Sequence, residues 1–312
     1  MVEPVALTAL MLDVAIGWPE AIYRRIGHPI GLFARIIDGC EKRWNQPDRS
    51  ETRKRLFGIA TVLLLLFVSV GTGILFERLM LRYLGGYGWI GIAILAFPAL
   101  AQRSLSEHVS AVVRALGKGD LDMARQAVGM IVGRDTASLD EAGIARAAIE
   151  SLAESFCDGV CAPLFWLLIG GLPGIWAYKA INTADSLIGH PEPRWRAFGW
   201  AAARTDDVLN LLPARLAGAL ICLAGMGGWH TMLRDAGKHA SPNAGWPEAA
   251  IAGALDLRLA GPISYEGAVS AKPWIGNGRT QAAASDIGRA LAIYRHACLL
   301  LWLIAGSAAW LS

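Results

Sequence analysis

The stretch Phe57 to Phe76, FGIATVLLLLFVSVGTGILF, decides the fold class. It runs for about 20 residues without a charge, and at about 1.5 Å per residue a helix of that length matches a hydrocarbon core of about 30 Å. Working outward, Leu84 to Gln102 and Ala297 to Ser312 are also uncharged, the second short enough to need its flanks or a thinned bilayer. Leu216 to Trp229 is a weaker apolar stretch. Of the 312 residues, 54% are hydrophobic and 18% charged, against about 25% charged in an average soluble domain. The expectation is an all-α, polytopic integral membrane protein with about four to six membrane-embedded helices, some of them re-entrant. Helical and loop-rich cytoplasmic insertions connect them. No repeat, low-complexity tract or linker divides the chain, so residues 1–312 read as a single membrane-embedded domain.

Charge asymmetry sets the orientation. Nine Lys/Arg residues lie between Arg24 and Arg55, ahead of the first span, whereas the short connection after it holds only Arg78 and Arg82. The basic loop is therefore expected in the cytoplasm. That asymmetry accounts for the formal net charge of +3 and leaves no nucleic-acid signal. Val5 to Gly17 carries Asp13, lacks a basic flank ahead of it and runs into Trp18-Pro19, so it reads as mature structure rather than a signal peptide. Several tryptophans (Trp18, Trp89, Trp176, Trp229, Trp310) sit near the ends of apolar stretches, where either the headgroup layer or ordinary packing accounts for them. The five cysteines include no C-x-x-C and read as packing residues.

Three polar blocks carry the candidate chemistry. In the first, Leu105 to Leu116 is amphipathic, Gly117-Lys118-Gly119 breaks it, and Asp120 caps a second helix ending near Gly133. Ser138-Leu-Asp-Glu141 has the form of a capping box opening a further helix. On that helix Glu150, Glu154 and Asp158 fall at i, i+4 and i+8 and share a face; they suit a hard cation such as Mg2+, or simply a solvated face paired with Arg146. Gly133-Arg134-Asp135-Thr136 sets a planar guanidinium, an acid and a hydroxyl ahead of a helix start, a combination that suits phosphate or carboxylate recognition.

The apolar run Gly159 to Tyr178 contains Pro163, Gly170, Gly171, Pro173 and Gly174, which interrupt a helix near its middle. A kinked span and a re-entrant pair of half-helices compete there. The re-entrant form is favoured because the polar blocks on both sides are basic, and it would bring the acidic face to the second block, Lys179 to Asn210. That block holds Lys179, Asn182, Asp185, Arg204, Asp206, Asp207 and Asn210, and acids at a membrane boundary invite a functional reading. The third block, Arg234 to His296, reads as a long ordered loop, with His239 to Glu248 too rich in turn formers to be helical. No phosphate loop, dinucleotide fingerprint, nucleophile elbow or H-E-x-x-H motif is present in the sequence, so any nucleotide site is of an uncommon kind.

In order, these blocks resemble the CobD/CbiB family, the adenosylcobinamide-phosphate synthases of cobalamin biosynthesis. The matching stretches are Leu12-Asp13, Trp18-Pro19 and His28-Pro29; Gly133-Arg-Asp-Thr136; Glu150-Ser-Leu-Ala-Glu154 and Asp158-Gly-Val160; and Gly170-Gly-Leu-Pro-Gly174. They continue with Tyr178-Lys179-Ala-Ile-Asn182-Thr-Ala-Asp185-Ser186, Arg204-Thr-Asp206-Asp207-Val-Leu-Asn210, Ser241-Pro-Asn243-Ala-Gly-Trp-Pro-Glu248-Ala249 and Lys272-Pro-Trp-Ile-Gly276.

The resemblance implies ATP-dependent amide formation between the propionate carboxylate of adenosylcobyric acid and (R)-1-amino-2-propanol O-phosphate, or free aminopropanol. It implies ATP and Mg2+, a multi-pass place in the cell inner membrane with a cytoplasmic site, corrinoid and amino-alcohol phosphate substrates, and association with other membrane enzymes of late cobalamin biosynthesis. Under it, Glu150, Glu154, Asp158 and Asp185 go to magnesium, and Glu154, Asp185, Asp206 and Asp207 to catalysis, Asp206 or Asp207 meeting the amine. Arg134, Asp135, Thr136, Lys179, Asn182, Arg204, Asn210, Asn243 and Glu248 go to substrate and phosphate. Two rivals stand beside it. Asp206-Asp207-x-x-Asn210 is superficially similar to metal-dependent prenyl transferase motifs, though no second acidic motif accompanies it. A transporter also uses broken helices and buried acids.

Overall fold

The computed structural model describes residues 4–310 apart from 20–22, 26, 134, 262, 266–267 and 271–272. The described chain is predominantly helical, as the hydropathy pattern predicts, with two short antiparallel ribbons. Three helical stretches are long and apolar enough to cross a membrane, Glu51–Gly117, Glu141–Ile188 and Ala284–Trp310. A fourth exists if Trp200–Leu209 and Leu211–Ala224 act as one span. The protein is therefore a multi-pass membrane protein. By contact density it forms two compact units, and the backbone passes between them at Ala101–Gln102, Cys161–Ala162, Asn210–Leu211 and Ile304–Ala305.

The first unit contains α1 (Val5–Ala15), α2 (Gly31–Trp44), α3 (Glu51–Leu84) and α4 (Gly88–Ala96). To these it adds α8 (Ala162–Ile188) and α9 (Trp200–Leu209). Ser50 caps α3, its Oγ accepting the Arg53 amide at 3.4 Å, and Glu51 in the first turn complements the helix dipole. The 34-residue helix rises about 51 Å, longer than a bilayer core, so the uncharged run is embedded in a longer rod. Its hydroxyls are satisfied internally: Thr61, Ser69 and Thr72 donate to the carbonyls of Phe57, Leu65 and Val68 at 2.6–2.9 Å. Val62 and Leu65 of α3 pack with Ala180, Ile181 and Ala184 of α8, and Phe33 and Ile37 of α2 close the same core. The stretch expected as a second span, Leu84 to Gln102, is broken up: 3-10 turns at Gly85–Tyr87 and Phe97–Ala99 flank the nine residues of α4.

Helix α8 carries the decisive break. Gly171 adopts φ 60° and ψ −152°, a conformation that favours glycine. Pro173 falls in the first turn after the break, where its missing N–H costs no hydrogen bond. The Leu172 amide that opens this second half-helix donates to Glu77 Oε2 at 3.1 Å. In a continuous helix residues eight apart are separated by about 12 Å along the axis, yet a Cβ on Gly174 would collide with the carbonyl oxygen of Trp166. The chain thus turns back on itself at Gly171, and the second half-helix runs on from Leu172 to Ile188. The indoles of Trp166 and Trp176 lock the reversal by donating to the Leu209 and Leu95 carbonyls at 3.2 and 3.1 Å.

The second unit is built from α5 (Gln102–Gly117), α6 (Leu121–Gly129), α7 (Glu141–Phe156), α10 (Leu211–Ala224), α11 (Trp229–Asp235) and α12 (Gly245–Leu255). Strand β1 (Leu259–Ala260) pairs with β4 (Trp274–Ile275), and β2 (Ile263–Tyr265) pairs with β3 (Ala268–Ser270), ahead of α13 (Ala284–Trp310). Asp120 caps α6 as expected, accepting the Met123 amide at 2.9 Å, but that helix stops at Gly129 rather than near Gly133. The cap of α7 is Asp140, which accepts the Gly143 amide at 2.7 Å, and not Ser138 of the anticipated capping box. The third polar block is likewise more regular than expected. Gly245-Trp246-Pro247-Glu248 is the first turn of α12, with proline tolerated because the first amides of a helix have no internal partner.

The reversal at Gly171 is open to a paired test. Gly174→Val introduces a Cβ into the Trp166 carbonyl and is expected to cost more than about 2 kcal/mol, whereas Gly170→Ala, which meets open space, leaves stability within about 0.5 kcal/mol. Thermal unfolding of the detergent-purified variants checks both.

Candidate functional site

The second half of α8 places Tyr178, Asn182 and Asp185 on one helical face, and α9 places Asp206 and Asn210 one turn apart. These side chains meet within the first unit. Asp206 is 8% exposed, and both of its carboxylate oxygens accept amide hydrogens: Oδ1 from Asn182 at 3.4 Å and Oδ2 from Asn210 at 2.9 Å. The Tyr178 hydroxyl donates to Asn210 Oδ1 at 3.1 Å, and Lys179 Nζ donates to Asn182 Oδ1 at 3.3 Å. The result is a continuous array from an ammonium through two amides and a carboxylate to a phenol. Beside it, Arg204 holds Asp207 at 2.9 Å, and Asp185 is close enough to interact electrostatically with Asp206 and Asp207. A buried carboxylate needs such satisfaction, because an unpaired charge out of water is costly. Asp206 is consequently fixed in place, while Asp207 and Asp185 are more accessible.

Within the second unit the expected acidic face is altered. Glu150 Oε1 accepts the Ala260 amide at 2.9 Å, which ties β1 to α7. Glu154 is exposed one turn later. Asp158, however, lies in a π-helical turn, Cys157–Cys161, whose wider winding shifts it out of the i, i+4, i+8 register. Asp135 Oδ1 accepts the Ala137 amide at 2.9 Å and Thr136 Oγ1 donates to the Arg125 carbonyl at 3.0 Å, so both shape the loop onto α6. Arg134 lies outside the described residues. Asn243 Oδ1 accepts Arg215 NH1 at 3.1 Å, and the Arg215 guanidinium sits 4.6 Å from the centre of the Trp246 ring. Glu248 Oε2 stands 3.6 Å from His239 Nε2, while His239 Nδ1 accepts the Ser241 amide at 3.0 Å.

Among the described residues, no group of three or more His, Cys, Asp and Glu side chains forms a ready metal cage. Glu150, Glu154 and Asp158 are thus not by themselves a preformed magnesium site. Magnesium is commonly held by one or two carboxylates together with phosphate oxygens, and accessible carboxylates such as Asp185 and Asp207 fit that mode. Sequence reasoning missed Tyr178, Arg215 and His239 as members of these clusters. The spacing of Tyr178 to Asn182, one helical turn, was the available signal for the first.

The third polar block is anchored by a carboxylate that sequence reading passed over. Asp235 is fully buried and accepts two bonds from Arg234 and one from Lys238, each at 2.7 Å, plus the Gly276 amide at 2.8 Å. The Arg234 guanidinium, helped by Lys238 and the Gly276 amide, holds its carboxyl well below the usual carboxylate range.

Comparison with known proteins places these residues in a family context. Residues 6–294 match the family described as CobD/Cbib protein. A cobalamin biosynthesis protein CobD of Rhodobacter capsulatus is 48% identical over 306 residues, covering 96% of this chain and 95% of the relative. The proteins of the same name from a Sinorhizobium species and from Brucella anthropi are 46% and 45% identical, covering 94% and 92% of this chain and 94% and 90% of their own lengths. No solved structure matches the chain.

Asp235→Ala leaves two cations and an amide without their acceptor and is expected to cost about 3–5 kcal/mol. Because the native carboxyl titrates below its unfolded value, its contribution is complete above the ordinary carboxylate pKa and is lost as pH falls below it. Melting curves recorded between neutral and acid pH should show this acid-labile component in the wild type and not in the variant.

Proposed function

The chain belongs to the CobD/CbiB family of cobalamin biosynthesis, and on that footing we propose that it is an ATP-dependent synthase of the inner membrane with a cytoplasmic site. In this reading it joins the propionate carboxylate of adenosylcobyric acid to (R)-1-amino-2-propanol O-phosphate, or to free aminopropanol. The observation that carries the proposal is the Lys179–Asn182–Asp206–Asn210–Tyr178 array with Asp185 and the Arg204–Asp207 pair beside it. It combines cations for phosphate with carboxylates for an amine on one rigid pair of helices.

A carboxylate and an amine do not condense unaided at neutral pH. Transfer of the terminal phosphoryl group of ATP to the propionate oxygen releases ADP and leaves an acyl phosphate. The amine nitrogen then attacks the acyl carbon, the bond to the phosphate oxygen breaks, and inorganic phosphate departs. Lys179 and Arg204 supply positive charge where the phosphoryl group gathers negative charge. The accessible Asp207 or Asp185 accepts the proton that the attacking ammonium must lose. Asp206, with both oxygens occupied, acts as a positioning residue that fixes Asn182 and Asn210. Bound magnesium would be held by Asp185 and would neutralise charge on the polyphosphate. The apolar walls of the unit keep water from the acyl phosphate.

Purified protein incubated with ATP, magnesium, adenosylcobyric acid and the amino-alcohol phosphate should yield a corrinoid whose mass has increased by the amine less water. Lys179→Gln and Asp207→Asn are each expected to lower kcat/KM by at least about a hundredfold. Glu154→Gln is expected to abolish turnover at unchanged membrane yield; full turnover would show that Glu154 is not needed. Substrate flux into sealed vesicles without a new amide would instead mark a transporter, and use of a diphosphate donor a transferase.

A further inference from the structure

The His28-Pro29 motif takes no part in the array, yet it opens onto a cavity of about 270 Å³ within the first unit. The body of the cavity is apolar and partly aromatic, formed by Phe33, Phe76, Leu95 and Trp176. Among the described residues its polar side chains are Arg35, His28 and Thr72, with no carboxylate. Thr72 is already satisfied by the Val68 carbonyl. Arg35 has no ion pair with any described residue, so its charge is available to the cavity.

The histidine is held for donation. Its Nδ1 accepts the Ile30 amide at 3.3 Å, which in the neutral ring leaves the hydrogen on Nε2. Trp18 packs edge-on against the imidazole at 5.2 Å, and the indole is itself fixed by donating to the Gly27 carbonyl at 3.1 Å. Burial, and then the nearby Lys179, lower the affinity of His28 for a second proton. Nε2–H makes no hydrogen bond to a described residue. A cation and a fixed neutral donor on an apolar cavity with no carboxylate among its described residues select an anion with a short hydrocarbon body, and they reject an ammonium group at that end.

We infer that this cavity is an anion subsite in which Arg35 and His28 receive the phosphate of a small phosphorylated aliphatic molecule. Under the synthase reading, on which this identification rests, the molecule is the amino-alcohol phosphate, and the two residues set the preference for the phosphorylated over the free amine. The same chemistry is offered by a phospholipid headgroup, because α3 borders the cavity at Val68, Thr72 and Phe76.

Calorimetric titration of the full-length protein in detergent, without ATP, separates these cases. The probes are (R)-1-amino-2-propanol O-phosphate, free aminopropanol and a short-chain phosphatidic acid. The phosphate ester should bind the wild type, and Arg35→Gln and His28→Leu should weaken it about ten- to a hundredfold more than they weaken free aminopropanol. His28→Gln, which keeps a donor near the Nε2 position, should recover most of the loss. Equal weakening of both amines, or none, would overturn the subsite, and so would binding of phosphatidic acid but not of the ester. The amide assay is run on the same samples. Ester binding without amide product would sink the synthase reading and leave the subsite standing, whereas amide formation with an unchanged ester KM in both variants would do the reverse.

Discussion

Backbone amides within an apolar span must find partners inside the protein, and the reversal at Gly171 is where this chain meets that demand most sharply. A helix that starts afresh leaves orphan donors, and Glu77 of the neighbouring α3 accepts from one of them, the Leu172 amide. A carboxylate at the start of a half-helix also faces the positive end of its dipole. Everything the second half of α8 presents, from Tyr178 to Asp185, is aimed by this one junction. The array is therefore set by backbone geometry before any side chain makes a bond.

Its internal economy follows from burial. Tyr178 and Asn210 are 1% and 2% exposed, so each polar atom there must be matched. The chain of donors and acceptors admits a single consistent orientation: the phenol donates to the Asn210 carbonyl, leaving the Asn210 amide to donate to Asp206. The Asn182 amide donates to the other oxygen of that carboxylate, and its carbonyl is left for Lys179. Such a network is rigid because any flip breaks more than one bond. Rigidity at this point is what a site for condensing two polar molecules requires, since misplacement by about 1 Å is costly to rate.

Much of this was legible in the sequence. The uncharged run fixed the helical membrane class, the Gly-Gly-Leu-Pro-Gly stretch announced a break, and the acids and amides of the second block pointed to one cluster. Legibility failed where local rules compete. Two N-cap candidates, Ser138 and Asp140, lie two residues apart, and only the geometry of the entering chain selects the second. Turn-forming residues around Pro247 disguised a helix, because proline at a helix start and proline in a loop look alike in sequence. Asp235 and Glu77 were passed over for a different reason. Glu77's partner Leu172 is distant in sequence and offers only a backbone amide, as Gly276 does to Asp235; Arg234 and Lys238 beside Asp235 read as an ordinary local charge cluster and give no sign of its burial.

The wide turn at Cys157–Cys161 has a further consequence for how this sequence can change. Each residue of a regular helix advances the side-chain direction by about 100°. The turn acts as a phase offset: the acids before it and Asp158 within it point in directions that a uniform helix would not give. Removing one residue there would restore uniform winding and keep every acid, yet Asp158 would point in a new direction relative to Glu150 and Glu154, while the helix beyond the turn stayed nearly in phase. Composition and hydropathy would be almost unaltered, so the loss would be invisible to any reading of residue types alone. Length, at this point of the chain, carries as much information as identity.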